Sequence, residues 1–170
     1  MQEEMIHEVD WDDNIIATHS VKRLKEIKFV HRSSLVIPKT TDGKFILCKR
    51  AKNKYPFPDT WCCAIGGKVR AKETYEEAAI REMLEEGKVS ADLEFITKYA
   101  HKKDDYPCIF SVFTTKEEVN IESLKPDISE IQYFKSFELE EIRQMINKNP
   151  DEFAPTFITI FLEFYKAMTK

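Results

Sequence analysis

In the stretch GGKVRAKETYEEAAIREMLEEGKV, residues 66–89, Thr74 is followed three residues later by Glu77, the spacing of a capping box, and Gly87 supplies a stop. The pattern predicts a helix over 74–86. Within it, Glu82, Glu85 and Glu86 stand at spacings of three and four. At about 100° per residue, all three carboxylates share one helix face. Ile80, Met83 and Leu84 fall on the other side and are expected to bury against a sheet, while the small Ala78 and Ala79 leave the backbone near the acidic face uncrowded.

Glutamate is a good helix former, so an acidic face is often no more than a solvated one. Here it carries two costs. Like charges four apart lose roughly 0.2–0.5 kcal/mol, and carboxylates in the last turn oppose the helix dipole at about 0.3–1 kcal/mol each. A divalent cation would offset both, and an oxygen-only ligand set favours Mg2+ or Mn2+.

Upstream of this segment, a loop with Pro56 and Pro58 leads into Trp61-Cys62-Cys63-Ala64-Ile65. Before it, Leu35-Val36-Ile37 and Phe45-Ile46-Leu47-Cys48 flank Thr41-Asp42-Gly43, a hairpin signal. Residues 1–30 read as an N-terminal appendage packed on a domain spanning 31–170. In it, Ile6–Val9 and Ile15–Ala17 flank Asp12-Asp13-Asn14 as a short hairpin, and residues 20–26 give one or two helical turns. Downstream, strands are expected near 93–100, 108–115 and 130–135, and a helix over 138–147 ended by Asn149-Pro150. A second helix is expected over 155–168, opened by Pro155. The sum is an α/β domain with a mixed sheet and flanking helices.

The 170 residues are 42% hydrophobic and 33% charged, ordinary for a globular domain, and no apolar run nears the ~20 residues of a membrane span. Net charge is −4 and pI about 5.7, which argues against a non-specific nucleic-acid binder. The acidic start, Met1-Gln2-Glu3-Glu4, lacks the features of a signal peptide, so a cytoplasmic location is expected. Cys48, Cys62, Cys63 and Cys108 form no C-x-x-C pair and the four histidines have no zinc-like spacing, so the cysteines read as buried free thiols.

Gly67, five residues, Glu73, seven residues, then Arg81-Glu82-Met83-Leu84-Glu85-Glu86 resembles the Nudix box. The resemblance implies a Nudix-type α/β/α sandwich with a mixed sheet. It also implies that Glu82, Glu85 and Glu86 hold Mg2+ (or Mn2+), helped by a backbone carbonyl near Gly66 or Gly67, and that an Arg81–Glu73 salt bridge positions the loop. The implied chemistry is attack of a metal-activated water on phosphorus, with Glu85 or Glu86 orienting or deprotonating that water. The substrate would be a nucleoside diphosphate derivative or a similar small organic diphosphate. One departure stands out. The family's box ends Glu-Glu-x-Gly, but here Gly87 comes one place early and Lys88 takes the position where the chain usually turns left-handed. Either the helix stops sooner or Lys88 bears the strain.

Phe45–Arg50, Phe57-Pro58-Asp59-Thr60-Trp61 and Asn149–Pro155 resemble the isopentenyl-diphosphate isomerase-like branch. Isomerases of that branch carry a cysteine just before the box glycine and a metal-binding histidine just after it; this chain has Gly66 and Lys68 there, with the glutamate triad complete. The hydrolase reading is therefore preferred to an isomerase. A nucleotide-sensing module without turnover is the other alternative. Lys49, Arg50, Lys54 and Lys68 are candidate substrate contacts. Asp104 and Asp105 are candidates for a further metal ligand or base, or an ordinary turn. The expected partner is a small-molecule diphosphate, with no membrane and no nucleic acid, and the hairpin before Ile27 offers a surface for a homodimer.

Overall fold

The computed structural model describes residues 2–170. The turn at Thr41-Asp42-Gly43 forms with Gly43 at φ +77°, Thr40 N–H donating to Lys44 O at 2.8 Å and Gly43 N–H to Thr40 O at 3.0 Å. The strands it joins then diverge into different sheets. Strand β3 (His31–Val36) sits in a four-stranded mixed sheet of order β6-β3-β8-β7, with β6 at Ile65–Lys68, β7 at Leu93–His101 and β8 at Cys108–Thr115. It runs parallel to β8 and antiparallel to β6. Strand β4 (Phe45–Arg50) joins β5 (Trp61–Cys63) and β9 (Ile131–Phe137) in an antiparallel sheet of order β5-β4-β9.

Alternation along β3 builds two cores. Leu35, with Phe110 and Val112 of β8, faces an apolar cluster completed by Phe157, Phe161 and Phe164 of α3 (Pro155–Met168). Val36 and Phe113 face the other way, onto Ala79 and Met83 of α1 (Tyr75–Gly87). Each fully buried phenylalanine contributes roughly 1.5–3 kcal/mol. A third helix, α2 (Leu139–Lys148), packs Ile142 and Ile146 into the α3-side cluster. Helices thus cover both faces of the mixed sheet, an α/β/α sandwich.

Helix α1 is rotated from its expected orientation. Its buried residues are Ala78, Ala79, Glu82, Met83 and Gly87, whereas Ile80 and Leu84 are 39% and 58% exposed. Small residues let the helix lie close against β6. A Cβ on Gly87 would come within 3.2 Å of both Ile65 and Leu124, and Ile80 or Leu84 would be too bulky for this face. The helix runs on through Gly87, and Lys88 itself adopts the left-handed conformation (φ 58°, ψ 27°), its N–H donating to Met83 O. Lys88 bears the strain.

The chain begins with an antiparallel hairpin, β1 (Met5–Val9) and β2 (Ile15–Ser20), followed by a 3-10 turn at Val21–Lys25. The hairpin braces the loop before α1: Ala71 N–H donates to Met5 O at 2.8 Å, and Ile6 pairs with Arg70. Among the described residues, no helix is long and apolar enough to cross a membrane.

Candidate active site

The capping box forms: Glu77 N–H donates to Thr74 Oγ1 at 3.1 Å, and Thr74 N–H to the Glu77 carboxylate at 2.8 Å. It fixes the start of α1, and with it the angle at which the acidic residues leave the helix. The loop before it is closed by Glu73, whose carboxylate accepts from Arg70 N–H at 3.0 Å and from Arg81 Nε and Nη2 at 2.5 and 3.0 Å. Arg81 also donates to Lys68 O at 3.0 Å. One guanidinium therefore ties α1, the loop and the end of β6 together, a bidentate arrangement that lysine cannot reproduce.

Glu82 and Glu86 project beneath the helix onto Gly66 and Gly67. Glu82 is 8% exposed, and burial raises its pKa despite a 2.6 Å bond from Arg81 Nη1 to Oε1. The carboxylate of Glu86 accepts from Gly66 N–H at 3.2 Å. Burial, with the charge of Glu82 beside it, pushes Glu86 up to about 8. Glu85 stays on the exposed rim, 3.2 Å from Arg81 Nη1.

All three glutamates line one cleft of about 470 Å³, together with Gly66, Gly67 and Lys68. Its remaining walls mix apolar and thiol-bearing side chains (Leu35, Phe57, Phe110, Ile160, Cys48, Cys62 and Cys63) with the charged Arg50, Lys54, Asp127 and Glu130. Cys48, Cys63 and Cys108 are buried and Cys62 is half-buried, and all four are free thiols.

Among the described residues, no three acidic, histidine or cysteine side chains are gathered into a finished metal cage. Arg81 occupies an oxygen of Glu82 and one of Glu85. The donor set nevertheless fits a hard divalent cation. It is oxygen-only, and its two buried carboxylates crowd each other, Glu86 with one backbone N–H as its hydrogen-bond partner. Arg81 compensates Glu82, whereas Glu86 has no ion-pair partner among the described residues.

The basic candidates separate by strand alternation. Arg50 lines the cleft, but its Nε and Nη2 donate to Phe57 O and Pro56 O at 3.1 and 2.6 Å, so it shapes the 51–60 loop. Lys49, one residue earlier, points to the opposite face of β4, its Nζ 5.3 Å from the Trp61 ring centroid and 3.9 Å from Asp59. Lys54 lines the cleft in an ion pair with Glu130. Lys68 lines it with no ion-pair partner among the described residues. Asp104 and Asp105 lie exposed in the β7–β8 turn, outside the cleft lining, although their neighbour Tyr106 is part of it. Sequence reasoning missed Asp127 and Glu130, which reach the cleft from the segment before β9. No local pattern marks them, since Pro126-Asp127-Ile128-Ser129-Glu130 reads as a turn.

A model of the NUDIX domain matches residues 30–157 of this chain. A prenyl-diphosphate phosphatase from Methanosarcina mazei is 29% identical over 165 residues, 95% of each chain. An isopentenyl-diphosphate Delta-isomerase from Serratia proteamaculans is 25% identical over 160 residues, 93% of this chain and 89% of that one. Among solved structures, a Deinococcus radiodurans protein superposes with a TM-score of 0.81 at 17% identity, covering 95% of this chain and 99% of that one. A MutT protein from Methanosarcina mazei superposes with a TM-score of 0.69 at 23% identity, covering 84% and 97%.

Proposed function

The chain belongs to the NUDIX family and is a hydrolase of phosphoric anhydrides, and on that footing we propose that it is a Mg2+-dependent enzyme, with Mn2+ as a substitute, that cleaves the diphosphate of a small ester whose organic group is apolar. The observation that carries this reading is a cleft of mixed lining. It joins the buried Glu82–Glu86 pair over Gly66 and Gly67 and the charged Lys54, Asp127 and Glu130 to the apolar Leu35, Phe57, Phe110 and Ile160. A diphosphate with a short hydrocarbon tail matches both. The relative that acts on prenyl diphosphates, aligned over 95% of each chain, supports the same substrate class.

Glu82, Glu85 and Glu86 would hold the cation, with a carbonyl near Gly66 or Gly67 assisting. A bound divalent cation supplies charge neutralisation of the diphosphate and acidification of the attacking water. Lys68, and Lys54 once released from Glu130, would hold phosphate oxygens as point charges. The Arg81–Glu73 pair ties the loop before α1 to the helix that carries the acidic residues. Gly66 and Lys68 stand where the isomerase branch uses cysteine and histidine, which favours hydrolysis over double-bond movement. The thiols of Cys62 and Cys63 do line the cleft, so formation of the allylic isomer from isopentenyl diphosphate is a direct control.

The test is a phosphate-release screen over isoprenoid diphosphates, nucleoside di- and triphosphates, sugar nucleotides and dinucleotides, with Mg2+ and with chelator. Release from isoprenoid diphosphates that requires the cation, and that disappears in the double variant Glu85→Gln, Glu86→Gln, is the expected result. Unaltered hydrolysis in that variant would overturn the assignment of the triad, and a preference for nucleotides would overturn the substrate class.

A further inference from the structure

Cys48 of β4 and Cys62 of β5 are direct partners across an antiparallel pair, and both line the cleft. Residues paired in this way project from one face of a sheet. In the same register, Arg50 N–H donates to Thr60 O at 2.9 Å. Arg50 and Thr60 are thus a hydrogen-bonded pair and, two residues along, Cys48 and Cys62 are another. The Cα atoms of such a pair stand about 5.5 Å apart, inside the roughly 4.4–6.8 Å that a disulfide spans. Cys48 is 5% exposed, and its Sγ donates to Cys63 O on β5 at 3.1 Å. Cys62 is half-buried, so it is the thiol that a small solute in the cleft meets first. Hydrogen bonding by the neighbouring Cys63 thiol and the charge of Arg50 lower the Cys62 thiol from its ordinary value, and the thiolate is the form that attacks. The other two thiols are poorly placed as partners. Cys63 follows Cys62 directly, at a Cα separation of about 3.8 Å. Cys108 lies outside the cleft lining, bonded to Ser33 Oγ at 3.4 Å.

We infer that Cys48 and Cys62 form a site of reversible oxidation, at which hydrogen peroxide entering the cleft closes a cross-strand disulfide and weakens the cation site beside it. The Cys62 sulfur attacks one peroxide oxygen and the O–O bond breaks. The other oxygen leaves as water with the proton that the thiol gave up, and Cys62 is left as a sulfenic acid. The Cys48 sulfur then attacks the Cys62 sulfur, its own proton goes to the departing hydroxyl, and a second water leaves. Two thiols have lost two electrons, and the peroxide has taken them up. To form the bridge, Cβ atoms about 5.5 Å apart must close to about 3.8 Å. The three-residue β5 gives way more easily than the six-residue β4. Ala64 alone separates β5 from β6, where Gly66 N–H donates to Glu86 and Gly67 lies against Glu82. The pull is therefore passed to the segment that seats the acidic pair. A bridge under strain is the more easily reduced, so a small thiol restores the starting state. The thiol chemistry stands apart from the hydrolase reading above; its effect on the cation rests on that reading.

The experiment treats the full chain with hydrogen peroxide, blocks the remaining thiols and maps linked peptides by mass spectrometry, beside calorimetric titration with Mn2+ before and after. Free thiols should fall from four to two, the linked peptides should join Cys48 to Cys62, and dithiothreitol should return all four. Mn2+ affinity should fall about tenfold and recover with the thiols. In Cys48→Ala the bridge should be absent, and dimedone should label Cys62 as the sulfenic acid. The map on the parent chain needs no variant to fold. Four unreacted thiols, or a bridge through Cys63, Cys108 or a second chain, overturns the pair. A Cys62 sulfenic acid in the parent that never goes on to a disulfide does the same. Mn2+ affinity within threefold of the starting value after complete bridging overturns the coupling to the cation. If the reduced parent binds no Mn2+, it is the metal reading that has failed, and the peptide map still decides the thiol site.

Discussion

Glu82 fills the space in which a side chain at Gly67 would have to stand: a Cβ built there lies 2.1 Å from Oε1 and 2.3 Å from the carboxyl carbon. The carboxylate cannot simply yield, because Arg81 Nη1 holds Oε1 at 2.6 Å and the side chain is buried. Gly67→Ala is therefore expected to displace Glu82 rather than unfold the domain. Strain of about 1–3 kcal/mol lowers Tm by several degrees. Cation affinity should fall about 10–100-fold, as for other changes that disorient a ligand from outside the coordination sphere. Calorimetric titration with Mn2+ beside a thermal melt checks this, and parent-like Mn2+ affinity would show that Glu82 is not a ligand.

A second expectation concerns pH. Glu86 is pushed up to about 8 from its ordinary 4.5 by burial and by Glu82. The folded chain thus keeps a proton that the unfolded chain has already lost between those values. The stability this contributes is fully present below pH 4.5 and is lost as pH rises through 8, a swing on the order of a few kcal/mol. A divalent cation favours the ionised carboxylate and should cancel the loss. Melts in chelator should fall between pH 5.5 and 8.5, and Mg2+ should raise Tm more at pH 8.5 than at 5.5. Equal increments at both pH values would dissociate Glu86 from the cation.

The spacing of Glu82, Glu85 and Glu86 was legible because a helix imposes its period locally, and the three do share one cleft. Which side of α1 meets the sheet was not legible. Ile80 and Leu84 made the more apolar stripe, yet the helix turns Ala78, Ala79, Met83 and Gly87 inward together with Glu82, and a Cβ at Gly87 would crowd Ile65 of β6. A helical wheel carries no information about the distance to a neighbouring strand. The same holds for Lys49 and Arg50. The sequence places both beside the loop as substrate contacts, but as neighbours on strand β4 they face opposite ways, and only Arg50 lines the cleft. The Thr41-Asp42-Gly43 turn could be read without revealing that its strands part. Glu130 joins the site through a contact 76 residues from Lys54 in sequence, and nothing in its own segment signals this.

The cap of α1 offers a third test. Lys88 is held at φ 58°, a conformation that costs a residue with a Cβ roughly 1–2 kcal/mol. Its Nζ recovers part of that by donating to Glu85 O at 2.5 Å. Lys88→Gly removes the strain but adds unfolded-state entropy, so the net gain should be about 0.5 kcal/mol, a rise of one or two degrees in Tm. Activity should be kept, since Glu86 is already aimed by a helix that extends through Gly87. A marked loss of activity would mean that the Lys88 side chain, not the backbone, sets the position of the last turn.

The hairpin provides the last test, through Asp13. This residue sits in the turn between β1 and β2 at φ 67° and accepts from Arg32 Nε at 2.6 Å, Tyr75 Oη at 3.1 Å and Lys98 Nζ at 2.7 Å. Those partners belong to β3, to the first turn of α1 and to β7, so one carboxylate pins the hairpin to three elements. Burial works against its charge, but the bonds from Lys98 and Arg32 outweigh it and lower its pKa. Asp13→Asn keeps the size and tolerates the left-handed backbone, while removing the charge that Arg32 and Lys98 share. The expected cost is about 1–3 kcal/mol, that of weakening charge-assisted bonds in a partly buried cluster. Because Met5 and Ile6 brace residues 70–71 ahead of α1, the loss should reach that loop. Hydrogen exchange should accelerate in β1, β2 and residues 69–74 before it does in β4 or β9. Uniform acceleration across the whole chain would mean that the hairpin folds as one unit with the sandwich, not as a clamp laid over it.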